Sequence, residues 1–262
     1  MDIAQKPTTS MANYTLFWIS ITLISILGAS VYFTYQEEIS PNISTPITMS
    51  ANEAEEKALA IIGKHPLALN AKKIHSSSVY ETDNNVNNYI TLQAGGNKVL
   101  NQLLVEKKLI SSYWLVRAYE ESNPEEYYLM FSPSGEYYGI NYHIQESTER
   151  PNISKEQALT NIQAYLQANP LAQLNFSEYK LIDYQKETHN NGRTDQTFIY
   201  EHPTKTLERA KYKLKITVSG DTITTVYPYI DLPESFGKIY SEMRSYNGVL
   251  ATIGNVILYV GY

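Results

Sequence analysis

The chain has 262 residues, of which 43% are hydrophobic and 18% charged, with a formal net charge of -6 and no cysteine. This is too apolar for a disordered chain, and it offers no overall basic field for nucleic acid. The lack of cysteine excludes disulfides, thiolate zinc sites, iron–sulfur clusters and a Cys nucleophile.

The elements follow in chain order. Residues 1–13 carry Lys6 as their only basic side chain and lead into Tyr14–Tyr35, which has no charged residue. A helix over that stretch is roughly 33 Å long, enough to cross a hydrocarbon core of ~30 Å. Tyr14, Phe17 and Trp18 at one end, with Tyr32, Phe33 and Tyr35 at the other, match an interfacial aromatic belt. The pattern predicts a transmembrane helix over 14–35. The competing reading is a cleaved signal peptide, with Gly28-Ala29-Ser30 as its processing site, but the apolar run exceeds the usual ~7–15 residues. Lys6 precedes the segment and Glu37 and Glu38 follow it. The positive-inside rule then expects a cell-membrane protein with a cytosolic N-terminus and residues 36–245 extracytoplasmic.

Residues 36–49, with Pro41 and Pro46, read as a linker. The next two stretches, 50–150 and 151–245, read as two similar α+β repeats. Ser50 and Glu53 form a capping box ahead of a helix that buries Ala54, Ala58, Ile61 and Ile62. Ser154 and Gln157 repeat the device ahead of a stripe of Ala158, Leu159, Ile162, Tyr165 and Leu166. Both helices contain Glu-x-Ala-Leu, at 56–59 and 156–159, and both run into Pro-Leu-Ala, at 66–68 and 170–172. Downstream, Tyr127–Phe131 and Tyr137–Ile144 flank Ser134-Gly135, while Tyr212–Val218 and Thr222–Ile230 flank Ser219-Gly220. Each reads as a β-hairpin. Further strands are expected at 112–120 and 196–201. An extra amphipathic helix over Lys98–Ile110, capped by Asn97, is expected in the first half alone. The fold class is thus α+β: two similar halves, each a helix followed by an antiparallel meander that it covers on one face. Residues 246–262 are again uncharged. They read as the start of a second, truncated transmembrane helix, with a buried terminal strand or core helix as the alternative.

Three stretches carry a resemblance: Trp114-Leu115-Val116-Arg117 with Glu125-Glu126-Tyr127 and Gly135; Arg193-Thr194-Asp195 with Phe198, Tyr200 and Glu201; and Arg209 followed by Gly220-Asp221 and Leu232-Pro233-Glu234. In pattern and order they resemble the extracytoplasmic N-terminal region of long bacterial CPBP proteins, the CAAX-protease and bacteriocin-processing intramembrane metalloproteases. The resemblance covers roughly residues 50–262, and the helix-plus-meander halves are also similar to PepSY-type modules. It implies a helical membrane protease domain, whose motifs are a paired glutamate ending in Arg and two histidine motifs. Glu55-Glu56, Glu120-Glu121 and Glu125-Glu126 lack an Arg four residues on, and neither apolar segment contains His. The resemblance therefore implies an accessory region without the protease: non-catalytic, and binding or regulatory in role. A freestanding secreted or tethered binding or inhibitor module is the alternative reading, and a cofactor-free hydrolase a third.

The remaining chemistry is sparse. His65, His75, His143, His189 and His202 include no pair in His-x-x-x-His or Glu-x-x-His spacing, and no Gly-x-Ser-x-Gly elbow occurs. The sequence implies no cofactor and no metal site. Arg193, Asp195 and Glu201 stand at odd positions and are expected to share one strand face, with Arg209 beyond them. Arg117 and Glu126 invite a pair across neighbouring strands. These six are the candidate interaction surface, read either as a recognition site for a peptide or a membrane protease domain or as ordinary structural ion pairs. The expected partners also include the lipid bilayer, through 14–35 and 246–262.

Overall fold

The computed structural model describes residues 11–35, 46–65, 73–121 and 123–260, with side-chain surroundings given from Tyr14 to Ile253. Most of the linker 36–49 and the first Pro-Leu-Ala echo, 66–68, lie outside the described residues. The chain divides into two units, Met1–Ser44 and Thr45–Tyr262.

The first unit holds helix α1, Met11–Thr34. Its stretch Tyr14–Thr34 is long and apolar enough to cross a membrane, with mean hydropathy 2.0 and none of it buried against protein. The hydroxyls of Ser20, Thr22 and Thr34 donate to carbonyls four residues back, at 2.9, 2.9 and 2.8 Å. These bonds pair polar groups that hydrocarbon could not solvate.

The second unit is α+β, with an antiparallel sheet of eight strands and five α-helices, which with α1 make six α-helices among the described residues. In chain order the elements are α2 (Ala51–Ile62), β1 (Ile74–Thr82), α3 (Asn84–Gln93), α4 (Gly96–Val105), β2 (Ser112–Glu120), β3 (Glu126–Phe131), β4 (Tyr137–His143), α5 (Lys155–Ala168), β5 (Lys180–Thr188), β6 (Thr194–Leu207), β7 (Ala210–Ser219), β8 (Thr222–Asp231) and α6 (Glu234–Val260). The strand order is β1-β2-β3-β4-β8-β7-β6-β5. The first four strands therefore fill one side and the last four the other, meeting where Ile140 faces Val226 and Asn141 faces Thr225.

Both expected capping boxes form: Ser50 and Glu53 start α2, and Ser154 and Gln157 start α5. The two helices lie on the same sheet face. Ala54, Ala58 and Ile62 of α2, with Ala158, Ile162 and Leu166 of α5, share one core with Tyr127, Leu129, Ile140, Leu214, Ile216 and Val226. Alanines at the contact let each helix approach the sheet closely while isoleucines fill the space between.

Four elements and the placement of one residue differ from the expectations. The helix expected over 98–110 runs Gly96–Val105; Gly95, at φ 101°, stands at its N-cap in place of Asn97, and no side chain caps it. It stops because Lys107 turns to φ 52°, outside the right-handed helical region. Helix α3 and the two edge strands, β1 and β5, join the elements read from the sequence. Arg193 sits just before β6, so it does not share a strand face with Asp195 and Glu201.

The antiparallel pairing gives the sheet two distinct ends. At the end called lower here lie the α3–α4 hairpin, the β3–β4 and β6–β7 turns, the start of α2 and the root of α6. Thr48 and Met49 donate to the Pro133 carbonyl there, both at 3.0 Å. The α3–α4 hairpin is fixed by the Tyr89 hydroxyl donating to the Leu207 carbonyl at 3.2 Å, by the Tyr89 ring on Phe236 and by the Asn88 amide on the Tyr240 hydroxyl. The upper end carries the β2–β3, β5–β6 and β7–β8 turns and the connector from β4 to α5.

Candidate interaction surface

The six residues picked from the sequence fall into four places. Arg117 on β2 and Glu126 on β3 do pair, with the guanidinium Nε donating at 2.6 Å. Arg117 also lies over the Tyr119 ring, 4.5 Å from its centroid. Its hydrogen bond to Glu126 raises the Arg117 pKa, and although burial works against it, Glu126 is held below the usual carboxylate range by Tyr128 and Arg117. Both residues are on the sheet face away from α2 and α5.

Arg193 and Asp195 form a second cluster at the upper end, Arg193 with only 1% of its side chain exposed. Its Nε donates to Asp195 at 3.0 Å, while Nη1 donates to the carbonyls of Gln145 and Thr148 at 2.7 and 2.8 Å. His189 meets the other Asp195 oxygen at 2.8 Å. Asn191 donates to the carbonyls of Glu146 and Thr148 at 2.9 and 3.0 Å, and Asn152 accepts from the Thr194 amide at 2.7 Å. The β5–β6 hairpin thus holds the connector 145–152 by its backbone. An Arg fork satisfying buried carbonyls is structural fastening, and it offers no donor outward.

Glu201 stands apart, six positions beyond Asp195 on the same strand, a separation of about 20 Å. It faces Lys211 and Lys213 of β7, both at 3.9 Å. Arg209 lies in the β6–β7 turn, where its backbone N–H donates to the Tyr89 hydroxyl at 3.2 Å. The six therefore do not make one site.

Two concave surfaces went unforeseen. One cleft, of about 590 Å³, runs between the C-terminal half of α5 and the segment before β5, lined by Leu159, Leu166, Leu174, Phe176 and Tyr200 among others. The other, of about 390 Å³, lies on the open sheet face between Tyr113, Leu115, Tyr128, Met130, Lys215 and Tyr227. Its signal in the sequence was the tyrosine alternation along the hairpins. Burial chiefly, with Tyr227, Glu81 and Asp83 nearby, pushes the Tyr113 hydroxyl up to about 12, so it stays a neutral donor.

A third group is internal. His65, at the C-terminal end of α2, places Nδ1 2.9 Å from the Tyr127 hydroxyl and Nε2 3.2 Å from the Ile223 carbonyl. The Tyr127 ring stacks on Tyr142, with 4.2 Å between centroids, and Tyr142 donates to Glu125. Thr148 donates to the other Glu125 oxygen at 2.7 Å. This chain links α2, the β3–β4 hairpin and the connector.

Family models, curated proteins and solved structures give no match to this chain.

Proposed function

We propose that the chain is a non-catalytic, membrane-anchored extracytoplasmic domain that binds or regulates a membrane partner, in the manner of the accessory region of a CPBP-type intramembrane protease. The observation that carries this reading is the common lower end of the folded unit. The chain reaches the sheet there at Met49, against Pro133, and leaves it there from β8 into α6. Apolar sequence lies on both sides: α1 precedes, and α6 ends in exposed Tyr246, Val249, Leu250 and Ile253. A domain held at one end by two membrane segments, 14–35 and 246–262, needs this arrangement, whereas a singly tethered module does not.

In this reading the two halves, 50–150 and 151–245, are similar units of a capped helix and a four-stranded meander, akin to PepSY-type modules. The sheet order, with β4 beside β8, and the shared capping boxes support that division. The N-terminus is cytosolic and 36–245 extracytoplasmic. The test has two arms. Protease added to intact spheroplasts should degrade 36–245 while an N-terminal tag survives; a protected domain would overturn the orientation. The reading frame beyond codon 262 should carry a helix with Glu-Glu-x-x-x-Arg; a stop with no protease gene beside it would overturn the protease connection.

A further inference from the structure

We propose that the lower end of the sheet, through the α3–α4 hairpin, rests on the lipid surface itself. This deepens the anchored reading above and rests on it.

Within Thr45–Tyr262 the large apolar side chains that stand in solvent are distributed unevenly. Val105, which closes α4, is 83% exposed; Ile47 is 51% exposed and Leu92 of α3 is 47% exposed. Ile239 and Met243, within the first three turns of α6, are each 41% exposed. All five belong to segments at the lower end; the other exposed large apolar side chains before Tyr246, Val79, Leu181, Ile182 and Tyr227, stand along strands β1, β5 and β8 rather than in turns. Among the described residues no exposed large hydrophobic lies in the upper-end turns, which carry Glu120, Glu121, Glu146, Glu149 and Asp221 in their place.

This asymmetry has no use in the core. The α3–α4 hairpin already buries Val86, Tyr89, Ile90, Leu100 and Leu104, so Leu92 and Val105 are not needed for its docking. Lys107 and Lys108 follow Val105 after Glu106, with side chains 56% and 59% exposed; Lys107 pairs with Glu136 at 3.4 Å and Lys108 with Glu106 at 2.6 Å, both at the surface. Long cationic stems beside apolar tips suit the headgroup boundary, where the stem stays apolar and the ammonium reaches phosphate. The occupant follows from continuity. The helix that leaves this end is the one that becomes uncharged from Tyr246 onward, so lipid is the medium the end faces.

Because the chain has no cysteine, single-cysteine labels can be read without background. The full chain carrying Val105→Cys, Leu92→Cys, Glu121→Cys, Glu146→Cys or Ile24→Cys would be labelled with an environment-sensitive fluorophore. Each would be reconstituted in phosphatidylcholine–phosphatidylglycerol vesicles with and without acyl-chain nitroxide lipids. The expected result is quenching at 24, quenching of about twofold at 92 and 105 as for shallow insertion, and none at 121 or 146. Quenching at 24 without any at 92 and 105 overturns the lipid contact and leaves the anchor standing. No quenching at 24 overturns the anchored reading, and the lipid contact with it. Equal quenching at 105 and 121 overturns the oriented contact. Sites 92 and 105 unquenched in vesicles but shielded from labelling in native membranes would assign the surface to a protein partner and overturn the proposal.

Discussion

Arg193 donates to the carbonyl oxygen of Thr148, 45 residues earlier, at 2.8 Å, from a side chain that is 1% exposed. The same Nη1 takes the Gln145 carbonyl, and Nε takes Asp195. Removing the guanidinium takes the Arg193 donor from the Gln145 carbonyl and leaves the Thr148 carbonyl with Asn191 and the partly buried Asp195 with His189. Arg193→Ala should therefore lower unfolding stability by about 3 kcal/mol, or roughly 6–12 °C in midpoint. Arg193→Lys should recover only part of that, because an ammonium cannot span three acceptors in the geometry of a fork. Thermal unfolding of the folded unit measures both, and an unchanged midpoint for Arg193→Ala would refute the fastening.

Arg117→Ala supplies the contrast. Its 2.6 Å bond to Glu126 is shorter than any that Arg193 makes, yet its side chain is 47% exposed. Solvent screens such a pair, and its entropy of ordering offsets most of the attraction. The expected outcome is no resolvable change in midpoint, with Glu126 titrating closer to the usual carboxylate range by NMR. A destabilisation matching that of Arg193→Ala would show that bond length, not burial, governs these pairs.

The elements legible in the sequence were those that do two jobs with one set of residues. The helices at 51–62 and 155–168 announce both a cap and an apolar stripe. The hairpins at 127–144 and 212–230 announce both alternation and a glycine turn. The missed elements lack such agreement. Strand β5, KLIDYQKET, is an edge strand exposed along nearly its whole length, so nothing forces polar and apolar residues to alternate. Strand β1 spends three positions on serine, two of which donate to Glu55. Helix α3, NNVNNYITLQ, is poor in helix formers and is held by the Asp83 cap and by buried Val86, Tyr89 and Ile90.

Site residues obey the same logic. Arg117 and Glu126 could be paired on paper because adjacent strands of a short meander put them in reach. Asp195 and Glu201 could not, since sharing a strand face says nothing about distance along it. The chain from His65 through Tyr127 and Tyr142 to Glu125 joins residues as much as 77 positions apart in its Tyr142–His65 contact. Only the packing of α2 on the sheet creates it, so no local pattern records it.

The seam between β4 and β8 provides a steric prediction. Two register pairs join the strands, with Thr225 Oγ1 donating to Asn141 Oδ1 at 3.1 Å beside them. A Cβ on Gly139 would stand 2.2 Å from the Val226 carbonyl oxygen, an approach that only a strand shift can relieve. Gly139→Ala should cost about 1–3 kcal/mol and widen the seam. Urea unfolding reports the loss, and hydrogen exchange at Ile140 and Val226 should quicken more than at the β2–β3 pairs. Unchanged exchange at the seam would contradict the tight approach.

His65 ties the stability of the fold to pH. The Ile223 carbonyl can only accept, so His65 Nε2 carries the proton and Nδ1 accepts from the Tyr127 hydroxyl. Burial above all, and Arg150 nearby, hold the His65 pKa below its ordinary 6.5, against the opposing pull of the Ile223 carbonyl. The unfolded chain takes up this proton near pH 6.5, and the folded chain only at lower pH. Below 6.5 the unfolded state binds more protons, so stability falls as pH drops from 6.5 toward the folded value, and it is undiminished above 6.5. Glu125 acts in a separate window. Burial raises its pKa, but hydrogen bonds from Tyr142, Thr148 and the Gln145 backbone hold it below 4.5, so its contribution is lost only as pH falls through that lower value. His65→Gln should accordingly flatten the dependence of stability on pH between 6.5 and 4.5 and leave the acid limb below it in place. Chemical unfolding at a series of pH values separates the two, and identical slopes for both proteins above pH 4.5 would rule out His65 as the titrating group.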